Sequence, residues 1–156
     1  MTRRVNHNPE DEVLLAAARA AMAVSVRAAD KLGDVSTVQL RALTVLQETP
    51  GANLFQLAQG MGVTVSTTSR LVDRLVAAGF VDRRPSAQTR REISLALTRT
   101  GRARLRRYDD LRLAGLRACL ERIPGEQRDA VVEALRLVVE KPHLGRSPDE
   151  EVTSPA

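Results

Sequence analysis

Val63 to Gly101 reads VTVSTTSRLVDRLVAAGFVDRRPSAQTRREISLALTRTG. Thr64 stands where a helix cap is wanted, and Thr68, Leu71 and Leu75 follow at three- and four-residue spacing, so one face of a short helix is set to turn inward. Ser66, Thr67, Ser69, Arg70 and Arg74 are left toward the outside, and Gly79 stops the helix. Phe80–Arg84 is predicted as a short strand and Pro85–Thr89 as a polar turn. Ile93, Leu95 and Leu97 then alternate at strand spacing with one face buried. The tip of the resulting hairpin is flanked by Arg83, Arg84, Arg90 and Arg91.

Upstream, Asn53 with Gln56 caps a short helix carrying Leu57 and Ala58. Ala58 is small, as a residue must be where two helices cross closely. Gly62 falls in the turn, where a positive φ is commonly required. Val63 and Leu71 are expected to plug the core between the two helices. Thr68 has the shape of Val, and its hydroxyl can bond back to the carbonyl of Thr64. Two helices joined by a tight turn and followed at once by a basic hairpin make a winged helix-turn-helix. Its chemistry suits DNA. Short hydroxyls near a helix N-terminus bond phosphate or base edges, and an Arg fork matches guanine or phosphate. Extended Arg on a thin ribbon enters a minor groove, whose negative potential deepens as it narrows.

The flanks are helical. Asn8-Pro9-Glu10-Asp11 opens a first helix, with Leu14, Ala17, Ala21, Val24 and Ala28 on one stripe and Gly33 at its end. Ser36 with Gln39 caps a second, carried by Leu40, Leu43 and Leu46 and stopped by Pro50-Gly51. Thr98 caps a long fifth helix, whose later stripe is Leu113, Leu116, Leu120 and Ile123; Pro124-Gly125 breaks it. Val131, Leu135 and Val138 carry a sixth, ended by Pro142.

Composition agrees with a DNA reader. The 156 residues carry a net charge of +5, and the base is almost all Arg, with Lys only at 31 and 141. Between Thr64 and Arg107 stand 11 Arg against Asp73, Asp82 and Glu92, a local +8 that leaves −3 for the remainder. Aromatics are only 2% of the chain, so the core is aliphatic, as suits helix packed on helix. Cys119 is the single cysteine and excludes an internal disulfide; it is expected in the core or at an interface between copies rather than as a sensor. No apolar run reaches the ~18 residues of a membrane span and no signal peptide precedes the first helix, so a cytoplasmic protein with no membrane partner is expected. His7 and His143 lack metal spacing, Asp109 and Asp110 point to different helix faces, and the lone Tyr108 packs. With no phosphate loop, nucleophile elbow or metal cluster, neither an enzyme nor a cofactor or metal site is expected. The Arg102, Arg104, Arg106 and Arg107 run either attracts DNA by its field or is a solvated face pairing with Asp109 and Asp110.

On VSTTSRLVDRLVAAGFVDRRP and RREISLALTRTG, within a match running from about Pro9 to Lys141, the chain resembles the MarR family of bacterial transcription regulators. The resemblance implies a mainly α fold with a small β-hairpin, the winged helix-turn-helix flanked by N- and C-terminal dimerisation helices. It implies a homodimer whose first, fifth and sixth helices interlock. Recognition helices would enter successive major grooves of a pseudo-palindromic site, and wing tips the flanking minor grooves. The resulting division is residues 1–8 as a flexible arm, 9–35 and 99–141 as the dimerisation region, 36–98 as the DNA-binding domain and 142–156 as a disordered tail. Ser66, Thr67 and Arg70 match the recognition-helix positions, and Arg91 matches the wing-tip Arg. Thr89 stands where the family usually has an Asp that braces that Arg, so Arg90 and Arg91 are expected to share the role.

The DNA-binding set is therefore Ser66, Thr67, Ser69, Arg70, Arg74, Arg84, Arg90 and Arg91. The implied function is a ligand-responsive repressor, with double-stranded DNA, a second copy and a small phenolic or lipophilic effector as partners. The alternative is a winged helix that binds protein and no longer reads DNA.

Overall fold

The computed structural model describes residues 8–85 and 93–140. The arm at 1–7, the wing tip at 86–92 with Thr89, Arg90 and Arg91, and the tail from 141 lie outside the described residues. The elements run α1 (Pro9–Leu32), α2 (Thr37–Glu48), α3 (Leu54–Met61), α4 (Val65–Ala77), β1 (Val81–Pro85), β2 (Ile93–Leu97), α5 (Arg99–Leu120) and α6 (Gly125–Glu140).

Local chemistry sets most of these boundaries. Asn8, Ser36 and Asn53 each accept from the backbone N–H three residues on, and the side chains of Asp11, Gln39 and Gln56 reach back to complete three capping boxes. Thr98 caps α5 by accepting from Gly101 N at 2.9 Å, while its hydroxyl donates to the Gly79 carbonyl at 2.7 Å. The α3–α4 turn closes on Gly62 at φ 68°, a conformation that favours glycine.

β1 and β2 pair antiparallel, with Val81 opposite Leu97, Arg83 opposite Leu95 and Pro85 opposite Ile93. Leu95 N also donates to the Ala52 carbonyl at 2.8 Å, which fastens β2 to the segment before α3. Leu40 and Leu43 of α2, Leu57 of α3, Leu71, Val72 and Leu75 of α4, Val81, Leu95, Leu97 and Leu105 fill one aliphatic core. A fully buried Leu or Val stabilises by roughly 1.5–3 kcal/mol relative to exposure, so this cluster is what holds the hairpin against α4. Gly101 lets α5 start hard against it: a Cβ there would lie 2.1 Å from the Phe80 carbonyl oxygen.

Two expectations are corrected. Val63 is 42% exposed and does not plug the core, because the left-handed turn at Gly62 leads the chain outward there; Leu71 is buried as expected. Ile93 is 57% exposed although Leu95 and Leu97 are buried, because it pairs with Pro85 where the hairpin has left the helices behind. The α1 stripe is buried at Val24 and Ala28 and exposed at Leu14 (67%), as a helix expected to face a second copy allows.

The described residues divide into two compact units within α5, after Leu116. In the second, the Arg128 guanidinium donates to the carbonyls of Ile123 and Glu121 at 2.8 and 2.9 Å, covering acceptors left open where α5 ends. None of the described side chains of α6 is buried. No helix among the described residues is long and apolar enough to cross a membrane.

Candidate nucleic-acid interface

α4 is seated from below. Thr68, Leu71, Val72 and Leu75 are all buried, and the Thr68 hydroxyl donates to the Thr64 carbonyl at 3.0 Å, as its position in the sequence implies. That roll of the helix fixes what is left outside. Ser66, Thr67, Arg70 and Arg74 are exposed and Ser69 is half-buried. Thr67, Arg70 and Arg74 line one open depression of about 590 Å³, with Asp73 on its wall.

At the helix N-terminus the hydroxyls form a cluster. Thr64 Oγ1 accepts from Thr67 N at 3.3 Å and lies 3.0 Å from Thr67 Oγ1 and 3.2 Å from Ser66 Oγ. Each hydroxyl can exchange these short-range bonds for an acceptor brought from outside, and the first-turn N–H groups add the positive end of the helix dipole. The edge of α4 thus presents hydroxyls first and guanidinium groups behind, donors that can serve an anion or a base edge.

The hairpin is tied to this helix by charge. Arg83 Nη2 meets Asp73 Oδ1 at 2.6 Å, so α4 and β1 are linked by a bridge on the surface as well as through the core. Sequence reading placed Arg83 with the tip residues and missed this role. The signal was the strand alternation: Val81 faces inward, so Arg83 shares its side and faces α4. Arg84 lies on the other side of the strand and reaches Asp82 at 3.2 Å, both groups being more than half exposed. Such a pair is worth at most about 1 kcal/mol and is easily exchanged for phosphate. Arg90 and Arg91 belong to the segment outside the described residues.

In the Arg run of α5, Arg106 and Arg107 are exposed, while Arg102 and Arg104 are taken up within the chain. Arg102 donates to the Leu97 carbonyl at 2.6 Å, and Arg104 pairs with Asp34, tying α5 to the α1–α2 loop. Asp109 pairs with Arg112 instead, and Arg112 also sits 5.3 Å over the Tyr108 ring, which is buried as expected. Cys119 is an exposed free thiol. Among the described residues no group of three or more His, Cys, Asp or Glu is placed to hold a metal ion.

The fold has counterparts among known proteins. A model of the MarR family matches residues 34–92, which span the loop after α1 to the wing. YfiV, an HTH-type transcriptional regulator of Bacillus subtilis, is 30% identical over 105 residues, 67% of this chain and 66% of that one. YetL, an HTH-type transcriptional repressor of the same organism, is 35% identical over 80 residues, 51% of this chain and 48% of that one. The matches therefore span just under two thirds and about half of these relatives' lengths. Among solved structures, Rv1404 of Mycobacterium tuberculosis superposes with a TM-score of 0.75 at 30% identity, covering 91% of this chain and 99% of that one. MepR of Staphylococcus aureus bound to an oligodeoxyribonucleotide (TM-score 0.64, 16% identity, 85% and 97% covered) shares the fold. So does Rv2887 of M. tuberculosis in complex with salicylic acid (TM-score 0.64, 22% identity, 86% and 98% covered).

Proposed function

The chain belongs to the MarR family of winged helix-turn-helix transcription regulators, and from that premise we propose that it acts as a homodimeric, ligand-responsive repressor of transcription. The observation that carries the DNA-reading half is the roll of α4. Thr68, Leu71, Val72 and Leu75 take up its inner face, which leaves Ser66, Thr67, Arg70 and Arg74 to enter a major groove. Ser69 would support that edge, and Arg84, Arg90 and Arg91 would follow the backbone into the adjoining minor groove. The DNA-bound state of MepR supports this use of the fold.

The dimer is supported by apolar surface. α1 exposes Val13, Leu14, Leu15 and Met22; α5 exposes Leu113 and Leu116; α6 exposes Val132, Leu135, Leu137, Val138 and Val139. Large apolar surface left in water marks an interaction site, and a second copy of the same faces can cover it. On this reading residues 9–35 and 99–141 are the dimerisation region around the 36–98 reading head.

The effector proposal is coarser. Salicylic acid bound to Rv2887 supports a small aromatic or lipophilic ligand. An open cleft of about 650 Å³, lined by Val26, Ala29, Asp30, Asp34 and Val35, lies where α1 gives way to α2. With Asp30 on its wall and Asp34 committed to Arg104, it suits a neutral or amine-bearing lipophile better than an acid anion. A ligand there acts only if it binds one spacing of the two reading heads better than the other.

The test is a titration of the purified protein against operator and unrelated DNA at several salt concentrations. Log affinity is expected to fall linearly with log salt for both, with the operator tighter by roughly 10³-fold or more. Equal, weak binding to all DNA would favour the protein-interaction alternative.

A further inference from the structure

The recognition edge is not polar throughout. Phe55 on α3 is 58% exposed, and Val63 and Val65, on either side of the α4 cap, are 42% and 43% exposed. The three line a single open depression of about 370 Å³ with Ala58, Gly62 and Thr64. Thr64 is also the centre of the hydroxyl cluster with Ser66 and Thr67, so this apolar cup is continuous with the hydroxyl edge of α4. Val65 is the first residue of α4, the end that leads into a groove.

We propose that the cup formed by Phe55, Val63 and Val65 reads thymine, by receiving the C5-methyl groups of the operator. The proposal rests on α4 being the groove-reading helix. Every base presents a hydrogen-bonding group in the major groove, thymine its O4, but thymine alone adds an apolar one, the C5-methyl. The apolar wall of the cup, Phe55, Val63 and Val65, offers no hydrogen bond to a guanine, cytosine or adenine edge, and the polar side chains of the lining are confined to Gln59 and Thr64. Against a methyl group it removes apolar surface from water on both sides. The edge would then carry two adjacent kinds of reading: hydroxyl and Arg for polar edges, and the cup for thymine beside them.

The experiment replaces each thymine of the operator, one at a time, by deoxyuridine, which deletes only the methyl. At one or two thymines per half-site the wild-type protein is expected to lose about four-fold in affinity, the worth of one methyl taken out of water. Val65→Ser and Phe55→Ala are expected to weaken binding to the thymine operator by a similar factor and to abolish the thymine–uracil difference at those positions. Both side chains are exposed, so the melting temperature is expected to hold. Unchanged wild-type affinity for every uracil-substituted operator would overturn the proposal. So would full discrimination retained by both variants. Variants that bind DNA as tightly as wild type would assign the cup to a protein partner instead. In each case, continued sensitivity to Arg70→Ala would leave the reading of α4 standing, and loss of that sensitivity would bring both down.

Discussion

Helices α4 and α6 both carry apolar residues at three- and four-residue spacing, and they end in opposite states. In α4 the stripe of Thr68, Leu71, Val72 and Leu75 is buried, with α3 and β1 packed against the helix. In α6 Val132, Leu135, Leu137, Val138 and Val139 all remain exposed. A periodic stripe states that a surface has to be covered; it does not state by what. For α4 the cover is in the same chain, and the exposed polar face is the working surface proposed for it. For α6 the apolar face itself is the proposed working surface, with a second copy as its cover.

The sharpest break of this contrast comes from removing the fit under α4. Gly101→Ala forces a Cβ into the Phe80 carbonyl, so the winged lobe should lose about 3 kcal/mol, read by urea denaturation, and its DNA binding should fall with it. Leu135→Glu combined with Val138→Glu attacks the other region. It should weaken self-association by at least about 2 kcal/mol in sedimentation equilibrium. A dimer that survives both charges would place the interface elsewhere. Arg70→Ala touches the polar face of α4 alone. It should cost about 1–3 kcal/mol of operator binding with no change in the urea midpoint, whereas Arg91→Ala should lower the salt slope by about 1. The smallest effect is expected of Thr68→Val. It removes the bond to the Thr64 carbonyl but keeps the shape, so stability should move by less than about 0.5 kcal/mol and DNA binding not at all.

Much of the fold was legible in the sequence because its signals are local. The Asn8, Ser36 and Asn53 boxes, the Thr64 and Thr98 caps and the glycines at 33 and 62 set boundaries within a few residues of themselves. What was not legible depends on contacts far along the chain. Val63 looked like core by hydropathy, yet the path of the chain out of Gly62 put it outside. Ile93 alternated correctly with Leu95 and Leu97 but stands beyond the reach of the helices. Arg104 looked like part of a basic surface and instead holds Asp34, 70 residues away. The candidate site shows the same division. The outward set on α4 followed from helical periodicity, while the Arg83–Asp73 bridge and the apolar cup needed the hairpin and α3 to be placed against α4.

The measurement that bears most directly on the paired reading heads is selection of bound fragments from a random DNA pool by the purified protein. The expected result is an inverted repeat whose half-site centres lie about one helical turn apart, as two α4 helices in successive major grooves require. An enriched single half-site without symmetry, or no enrichment at all, would contradict it.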